Sequence, residues 1–308
     1  MSFERLQDKI REMKNPTVAG LDPKLEYVPS FIVEEKMKQY GQTLRCAAEA
    51  IYEYNVGLID ALCDVVPAVK PQSAFYERFG FEGVEVLKRT VDYAKSKGLY
   101  VIMDAKRGDI GSTAEGYSEA YLGSVTIGET EVEPFGCDCL TINAYLGSDG
   151  INPFIKDCVA RDRAVFALVK TSNPSSGELQ NIVAGDRKVY NVVGDLLERL
   201  SKDTVDKYGY TCVGAVTGAT YPMDIRDLRR RLEKTFFLVP GYGAQGGKAE
   251  DVQYAFDEYG HGAIVNSSRG IICAWQKTGK EGKDFGEAAR DAAIAMREDL
   301  KKYMIAEL

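Results

Sequence analysis

Four ionisable residues fall within the six positions Asp104-Ala105-Lys106-Arg107-Gly108-Asp109, directly after the apolar run Leu99-Tyr100-Val101-Ile102-Met103. Such a run reads as a buried strand, so two carboxylates and two cations gather where a strand opens into a loop. On an extended chain residues two apart point the same way, which sets Asp104 beside Lys106. Asp109 lies round the turn and need not face them. Carboxylates near a lysine favour its charged form. An ammonium held in this way can stabilise negative charge as it develops and then deliver a proton.

A second candidate lies far along the chain. Gly241-Tyr242-Gly243-Ala244-Gln245-Gly246 matches G-x-G-x-x-G and follows a strand. As a dinucleotide fingerprint the match is weak: it comes after the seventh strand, and the next strand ends in Asn266-Ser267 without the acidic residue a ribose would require. Bare backbone N–H groups, Gln245 and the nearby Arg269 suit a phosphate dianion better. A loop without a ligand stays open as the plain alternative. Cys137-Asp138-Cys139 has no second Cys or His cluster to complete a metal site, and the one histidine, His261, sits between glycines. Both read as structural.

These groups need a scaffold, and the chain supplies a regular one. Apolar, β-branched runs recur at 17–21, 65–70, 99–103, 139–142, 164–169, 212–216, 236–239 and 263–265. Helical periodicity separates them: Val84, Leu87, Val91 and Ala94 before Gly98, then Val192, Val193, Leu196, Leu197 and Leu200, and finally Met296, Leu300 and Met304. Near-continuous apolar strands are the pattern of a parallel sheet covered on both faces. Eight of them, each followed by a helix, predict a single (β/α)₈ barrel over 1–308, with a doubly wound open sheet as the alternative. A barrel gathers its active site at the C-terminal ends of the strands. Those ends read Asp22; Lys70 and Gln72; Asp104 and Lys106; Asn143; Lys170, Thr171 and Ser172; Thr217; the 241–247 loop; then Ser267, Ser268 and Arg269. Polar groups converging on one rim above apolar interiors point to an enzyme.

Bulk composition narrows the partners. A net charge of −7 over 308 residues argues against nucleic acid or an anionic membrane as the main partner, so phosphate chemistry must rely on a local cationic pocket. Residues 1–14 carry Phe3, Leu6, Ile10 and Met13 at helical spacing among charges, an amphipathic helix and not a signal peptide. No run approaches the roughly 20 apolar residues of a membrane span. The seven cysteines are scattered, mostly in apolar runs, as suits free thiols in a reducing cytoplasm.

Gly20-Leu21-Asp22-Pro23, Val69-Lys70-Pro71-Gln72, Asp104 through Ile110 with Thr113, Val239-Pro240-Gly241 and Ser268-Arg269-Gly270 together resemble the orotidine 5′-monophosphate decarboxylase family. The likeness is to its longer bacterial form, to which some protozoan enzymes are also similar, and it runs essentially end to end. The resemblance implies decarboxylation of a nucleotide without metal or cofactor, in a homodimer with shared active sites. Carried over by position, Lys70, Asp104, Lys106 and Asp109 form an alternating charge network, with Asp109 reaching the neighbouring subunit's site. Lys106 protonates C6 of the pyrimidine, and Asp104 lies near the substrate carboxylate. Asp22, Lys70 and Thr113 (the last also across the dimer) hold ribose hydroxyls. Ser172 faces the pyrimidine, with Gln72, Asn143 and Pro240 as further contacts, while Gln245 and Arg269 bind phosphate. The chain departs from the short form of the family at 27–42 and at 173–188. The second stretch, rich in Pro, Ser, Gly and Asn, reads as a lid or as an ordinary variable loop.

Three rivals are weighed against this. Metal-dependent relatives share Asp-x-Lys-x-x-Asp but need an acidic ligand where Lys70 stands. A Schiff-base aldolase would want Lys106, Lys70 or Lys170 neutral. A non-catalytic nucleotide-binding barrel would have no use for the charge network.

Overall fold

The chain forms a closed barrel in the computed structural model, which describes residues 2–304. Its strands are β1 (Thr17–Leu21), β2 (Ala68–Pro71), β3 (Tyr100–Arg107), β4 (Cys139–Ile142), β5 (Ala164–Lys170), β6 (Val213–Thr217), β7 (Phe237–Val239) and β8 (Ala263–Ser267). All pair in parallel in chain order. β8 returns to β1 through Thr17 opposite Val265 and Val18 opposite Asn266. That closure leaves no edge strand, which settles the barrel over the open sheet. The main helices are α1 (Ser2–Met13), α2 (Ser30–Tyr40), α3 (Leu44–Leu62), α4 (Gly80–Ser96), α5 (Gly111–Tyr121), α6 (Ser148–Arg161), α7 (Val189–Ser201), α8 (Pro222–Arg231) and α9 (Phe285–Lys301).

Side chains alternate along each strand, and the alternation divides the core in two. Val18, Ala68, Tyr100, Ile102, Phe166 and Ile264 fill the barrel interior. Ala19, Val69, Val101, Val165 and Val265 instead pack outward against the helices. The interior is completed from below by α1, whose Phe3, Leu6 and Ile10 join the same cluster; Phe3 stacks on Phe236 with ring centroids 4.9 Å apart. Arg5 of α1 donates to Asp138 Oδ1 at 3.0 Å, and Asp138 Oδ2 accepts from the Val101 amide at 3.0 Å. The amphipathic start of the chain is thus the plug of the barrel base. Met1 lies outside the described residues.

Two helices turn slightly from the faces their periodicity predicts. Leu87, Val91 and Ala94 of α4 are buried while Val84 is exposed, and α7 buries Tyr190, Gly194, Leu197 and Ser201 while Val192 faces out. Gly98 follows α4 at φ +78°, the left-handed conformation that ends helices. Met304 lies just past α9 and packs partly buried against the core. Two short antiparallel hairpins, Val125–Ile127 with Thr130–Val132 and Val183–Ala184 with Arg187–Lys188, were not legible as strands. All seven cysteines are unpaired, and all but Cys63 are buried. Among the described residues no helix is long and apolar enough to cross a membrane.

Candidate active site

A cavity of about 630 Å³ opens at the C-terminal mouth of the barrel. It is lined by Asp22, Lys70, Gln72, Asp104, Lys106 and Ser172, and on its far side by Pro240, Gln245 and Arg269. Strand ends from all round the barrel therefore converge as expected.

At the centre is Asp104, buried to 6% exposure. Lys70 Nζ donates to its Oδ2 at 2.6 Å and Lys106 Nζ to its Oδ1 at 2.5 Å. Gln72 Nε2 adds a bond to Oδ2 at 3.1 Å, and the Thr141 hydroxyl one to Oδ1 at 2.9 Å. Burial by itself pushes the Asp104 carboxyl upward, but the charges and hydrogen bonds of Lys70 and Lys106 outweigh it and hold the group well below the carboxylate range. Lys70 is shifted the complementary way. Burial lowers it, yet Asp104 and then Asp22 outweigh that, so its ammonium is held above the ordinary lysine value.

The backbone reason for this geometry differs from simple alternation. In β3 the register with β4 slips between Met103 and Arg107, which face Leu140 and Ile142. Lys106 sits in the bulge at φ +49°, a left-handed conformation unusual for a lysine. Its amide donates to Thr141 Oγ1 at 2.9 Å, so one hydroxyl bridges the strained amide and the Asp104 carboxylate. Asp104 and Lys106 do share a side, as expected, but a pinned bulge holds them there. Thr141 was missed because the rim was read at Asn143, past the strand end; its signal is a lone hydroxyl in the apolar run Cys139-Leu140-Thr141-Ile142.

Three expected residues lie outside the cavity of their own chain. Asn143 is exposed, and its Oδ1 accepts from the Tyr145 amide at 3.0 Å. Asp109 turns back to its own loop, accepting from the Ile110 amide at 2.8 Å, and Thr113 is exposed on α5. Lys170 is absent from the lining as well. It is fully buried behind the rim, beside Asn181, which removes it as a pocket nucleophile. Conversely, Lys24, Tyr27, Phe75, Tyr242 and Asn266 line the cavity without having been singled out. Tyr27 opens the 27–42 stretch in which the chain departs from the short form of the family, and Lys24 precedes it.

The glycine segment forms a tight ring. Gly247 N donates to Gly241 O at 3.0 Å and Gly243 N to Gly247 O at 2.8 Å, with Gly241 at φ +102°, where a side chain would be strained. Gln245 Oε1 accepts from Ser172 Oγ at 2.8 Å, joining this loop to the one after β5. Tyr242 OH donates to Asp299 Oδ2 at 2.7 Å and anchors the ring to α9. Gly20 is required for another reason: a Cβ there would come within 1.9 Å of Ser268 Oγ, so the ends of β1 and β8 can approach only without a side chain. Asp22 Oδ1 and Asn266 Oδ1 are buried beside the cavity without a hydrogen-bond partner. Such acceptors favour a ligand that donates hydrogen bonds. Among the described residues no cluster of three or more His, Cys, Asp or Glu could hold a metal ion. His261 is at the opposite end, where burial lowers its pKa and its amide donates to Asp257 Oδ1 at 2.8 Å.

Comparison with known proteins agrees with this architecture. Residues 20–282 match the model of the orotidine 5′-phosphate decarboxylase / HUMPS family. The chain is 43% identical over 292 residues to the orotidine 5′-phosphate decarboxylase of Rhodopirellula baltica, covering 92% of this chain and 94% of that one. It is 39% identical over 297 residues to that of Caldicellulosiruptor saccharolyticus, covering 96% and 97%. The structure of Leishmania donovani OMP decarboxylase superposes with a TM-score of 0.73 at 28% identity, covering 98% of this chain and 99% of that one. The chain belongs to the orotidine 5′-phosphate decarboxylase / HUMPS family.

Proposed function

We propose that this protein, acting as one barrel domain in the cytoplasm, decarboxylates orotidine 5′-monophosphate to UMP, the last step of de novo UMP synthesis. The observation that carries the reading is the Lys70–Asp104–Lys106 array at the mouth, with Lys106 Nζ 2.5 Å from Asp104 and facing the cavity. Breaking the bond between C6 and the carboxylate leaves an electron pair in the ring plane, where the ring π system cannot absorb it. The fixed ammonium of Lys106 stabilises that developing charge and then transfers its proton to C6 as carbon dioxide departs. Asp104, ionised because its carboxyl is held low, stands where it would repel the substrate carboxylate. The open Oδ1 of Asp22 accepts from a ribose hydroxyl. Ser172 faces the pyrimidine with Gln72 and Pro240 nearby, and Gln245, Arg269 and the 241–247 ring hold the phosphate.

Asp109 and Thr113 fit a shared site. Both are outside the cavity of their own chain and on its surface side, as needed if the protein is a homodimer in which each completes the neighbour's site. The rival reading is a metal-dependent enzyme acting on a sugar phosphate, and Lys70 distinguishes the two. Its ammonium already neutralises Asp104 and repels a divalent cation. Incubation with orotidine 5′-monophosphate should deplete the substrate's absorbance with chelator present. No turnover with or without added metal would overturn the proposal, and chelator-sensitive activity on a sugar phosphate would establish the rival.

A further inference from the structure

Lys170 is a fully buried lysine that the proposed chemistry does not use. Strand alternation from Phe166 and Leu168 would aim it into the barrel, but β5 carries a bulge: Leu168 faces Val216 and Lys170 faces Thr217, leaving Val169 as the extra residue. The bulge swings the side chain into the layer between strands and helices. There Nζ donates to Asn181 Oδ1 at 2.8 Å and to Ser176 Oγ at 3.4 Å, both on the loop after β5. It lies 4.2 Å from the centroid of the Tyr221 ring and 3.7 Å from Asp224 Oδ2 of α8. The far end of the loop reaches the same carboxylate. Lys188 Nζ is 3.6 Å from Asp224 Oδ1, which also accepts from Tyr190 OH at 3.0 Å.

The residues flanking the 171–187 loop, Lys170 and Lys188, thus close on one aspartate from α8, and its first turn closes on one buried ammonium. What that folded loop presents to the cavity is specific. Gln180 brackets Thr171, accepting from its amide at 3.0 Å and donating to its hydroxyl at 2.7 Å. Ser172 and Asn173 follow on the rim, with Ser172 O accepting from Thr220 Oγ1 at 3.2 Å. A buried charge whose hydrogen bonds all go to one loop is costly unless that loop stays in place.

We propose that Lys170 and Asp224 form a clasp that positions the 171–187 loop, so that Thr171, Ser172 and Gln180 are held ready for the base of the nucleotide. Lys170 is a positioning residue: it acts through the loop and touches no substrate. The proposal rests on the nucleotide reading above.

The test uses Lys170→Met, nearly isosteric and uncharged, and Asn181→Ala, which removes the loop acceptor without touching the core. Affinities for UMP and for ribose 5-phosphate are measured by calorimetry, with kcat, KM and thermal midpoint for each protein. The clasp predicts that UMP affinity falls at least tenfold in both variants, with KM raised more than kcat is lowered. Ribose 5-phosphate affinity should stay within twofold. Unchanged UMP affinity in a folded variant would overturn the proposal, as would equal losses for both ligands, which mark general damage. If Lys170→Met does not fold, Asn181→Ala alone decides by the same pattern. Failure of the parent protein to bind UMP or turn over orotidine 5′-monophosphate would instead overturn the nucleotide reading.

Discussion

Asp104 and Asp138 are buried aspartates at opposite ends of the same barrel, exposed to 6% and 4%, and both are paired with two cations. Their partners differ in kind. Asp138 is held by the guanidinium groups of Arg5 and Arg163 and by the Val101 amide, so its partners are fixed parts of the base and its plug. Arginine's planar fork suits a permanent joint. Asp104 is held by two lysines, compact charges on flexible stems, and the Lys106 side chain is 45% exposed to the cavity. The same carboxylate chemistry therefore closes one end of the barrel and keeps the other end charged beside an opening. What decides the difference is whether a helix or a cavity lies above the pair.

The comparison breaks most sharply at Lys106. Lys106→Ala should lower kcat/KM by at least about 10³-fold, in line with loss of a general acid and its charge, while the thermal midpoint moves little. A large drop in midpoint with activity retained would reverse the assignment of the two ends. At the base the opposite pattern is expected. Asp138→Ala should cost about 2 kcal/mol of stability, chiefly by leaving the buried Val101 amide without its acceptor while Arg5 and Arg163 keep Asp162 and Glu133, with kcat/KM close to the parent value in urea-free assays. Denaturant titration checks the first figure and steady-state kinetics the second.

A smaller effect sharpens what the mouth lacks. Lys106→Ala and Asp109→Ala proteins, each nearly inactive, should recover up to about a quarter of parental activity when mixed and allowed to exchange subunits, because half the dimers then hold one intact site. No recovery from verified mixed dimers would place Asp109 outside the neighbour's site. The smallest effect is in pH. The Asp104 carboxyl is lowered in the folded state, so its contribution is present above the unfolded value of about 3.9 and is lost as pH falls through the folded one. Lys70 is raised, so its contribution is present below its unfolded value of about 10.4 and is lost as pH rises through the folded one. Stability from this pair should be level between about pH 5 and 9. Asp104→Asn should flatten the acid limb and also weaken the alkaline one, since Asp104 is the main group that raises Lys70, and an unchanged acid limb would show that the pairing adds nothing to folding.

Much of this was legible in residue order. The eight barrel strands form where apolar runs were read, because burial on both faces demands continuous apolar residues whatever the neighbours are. Asp22, Lys70, Asp104, Ser172, Gln245 and Arg269 meet at one rim because each stands in or just past the C-terminal half of a strand of one parallel barrel. Asn143 lies outside the cavity of its own chain for a local reason: its side chain satisfies its own loop, while Thr141, two residues earlier and still inside the strand, faces the site. Lys170 failed because a one-residue bulge reverses alternation, and periodicity carries no signal for an inserted residue.

The sequence by itself determined the strand count, the polar rim and the charge types at β3, since these depend on which residues follow which. Only the tertiary structure decided that α1 plugs the base, that a bulge at φ +49° presents Lys106 to Asp104, and that Lys170 turns away from the cavity. Each depends on how a strand or helix meets segments far apart in the chain, where a hydroxyl on a neighbouring strand, a helix, or an extra residue in the strand's own pairing sets the direction of a side chain. Local pattern specifies which groups reach the rim. Packing specifies which way they face.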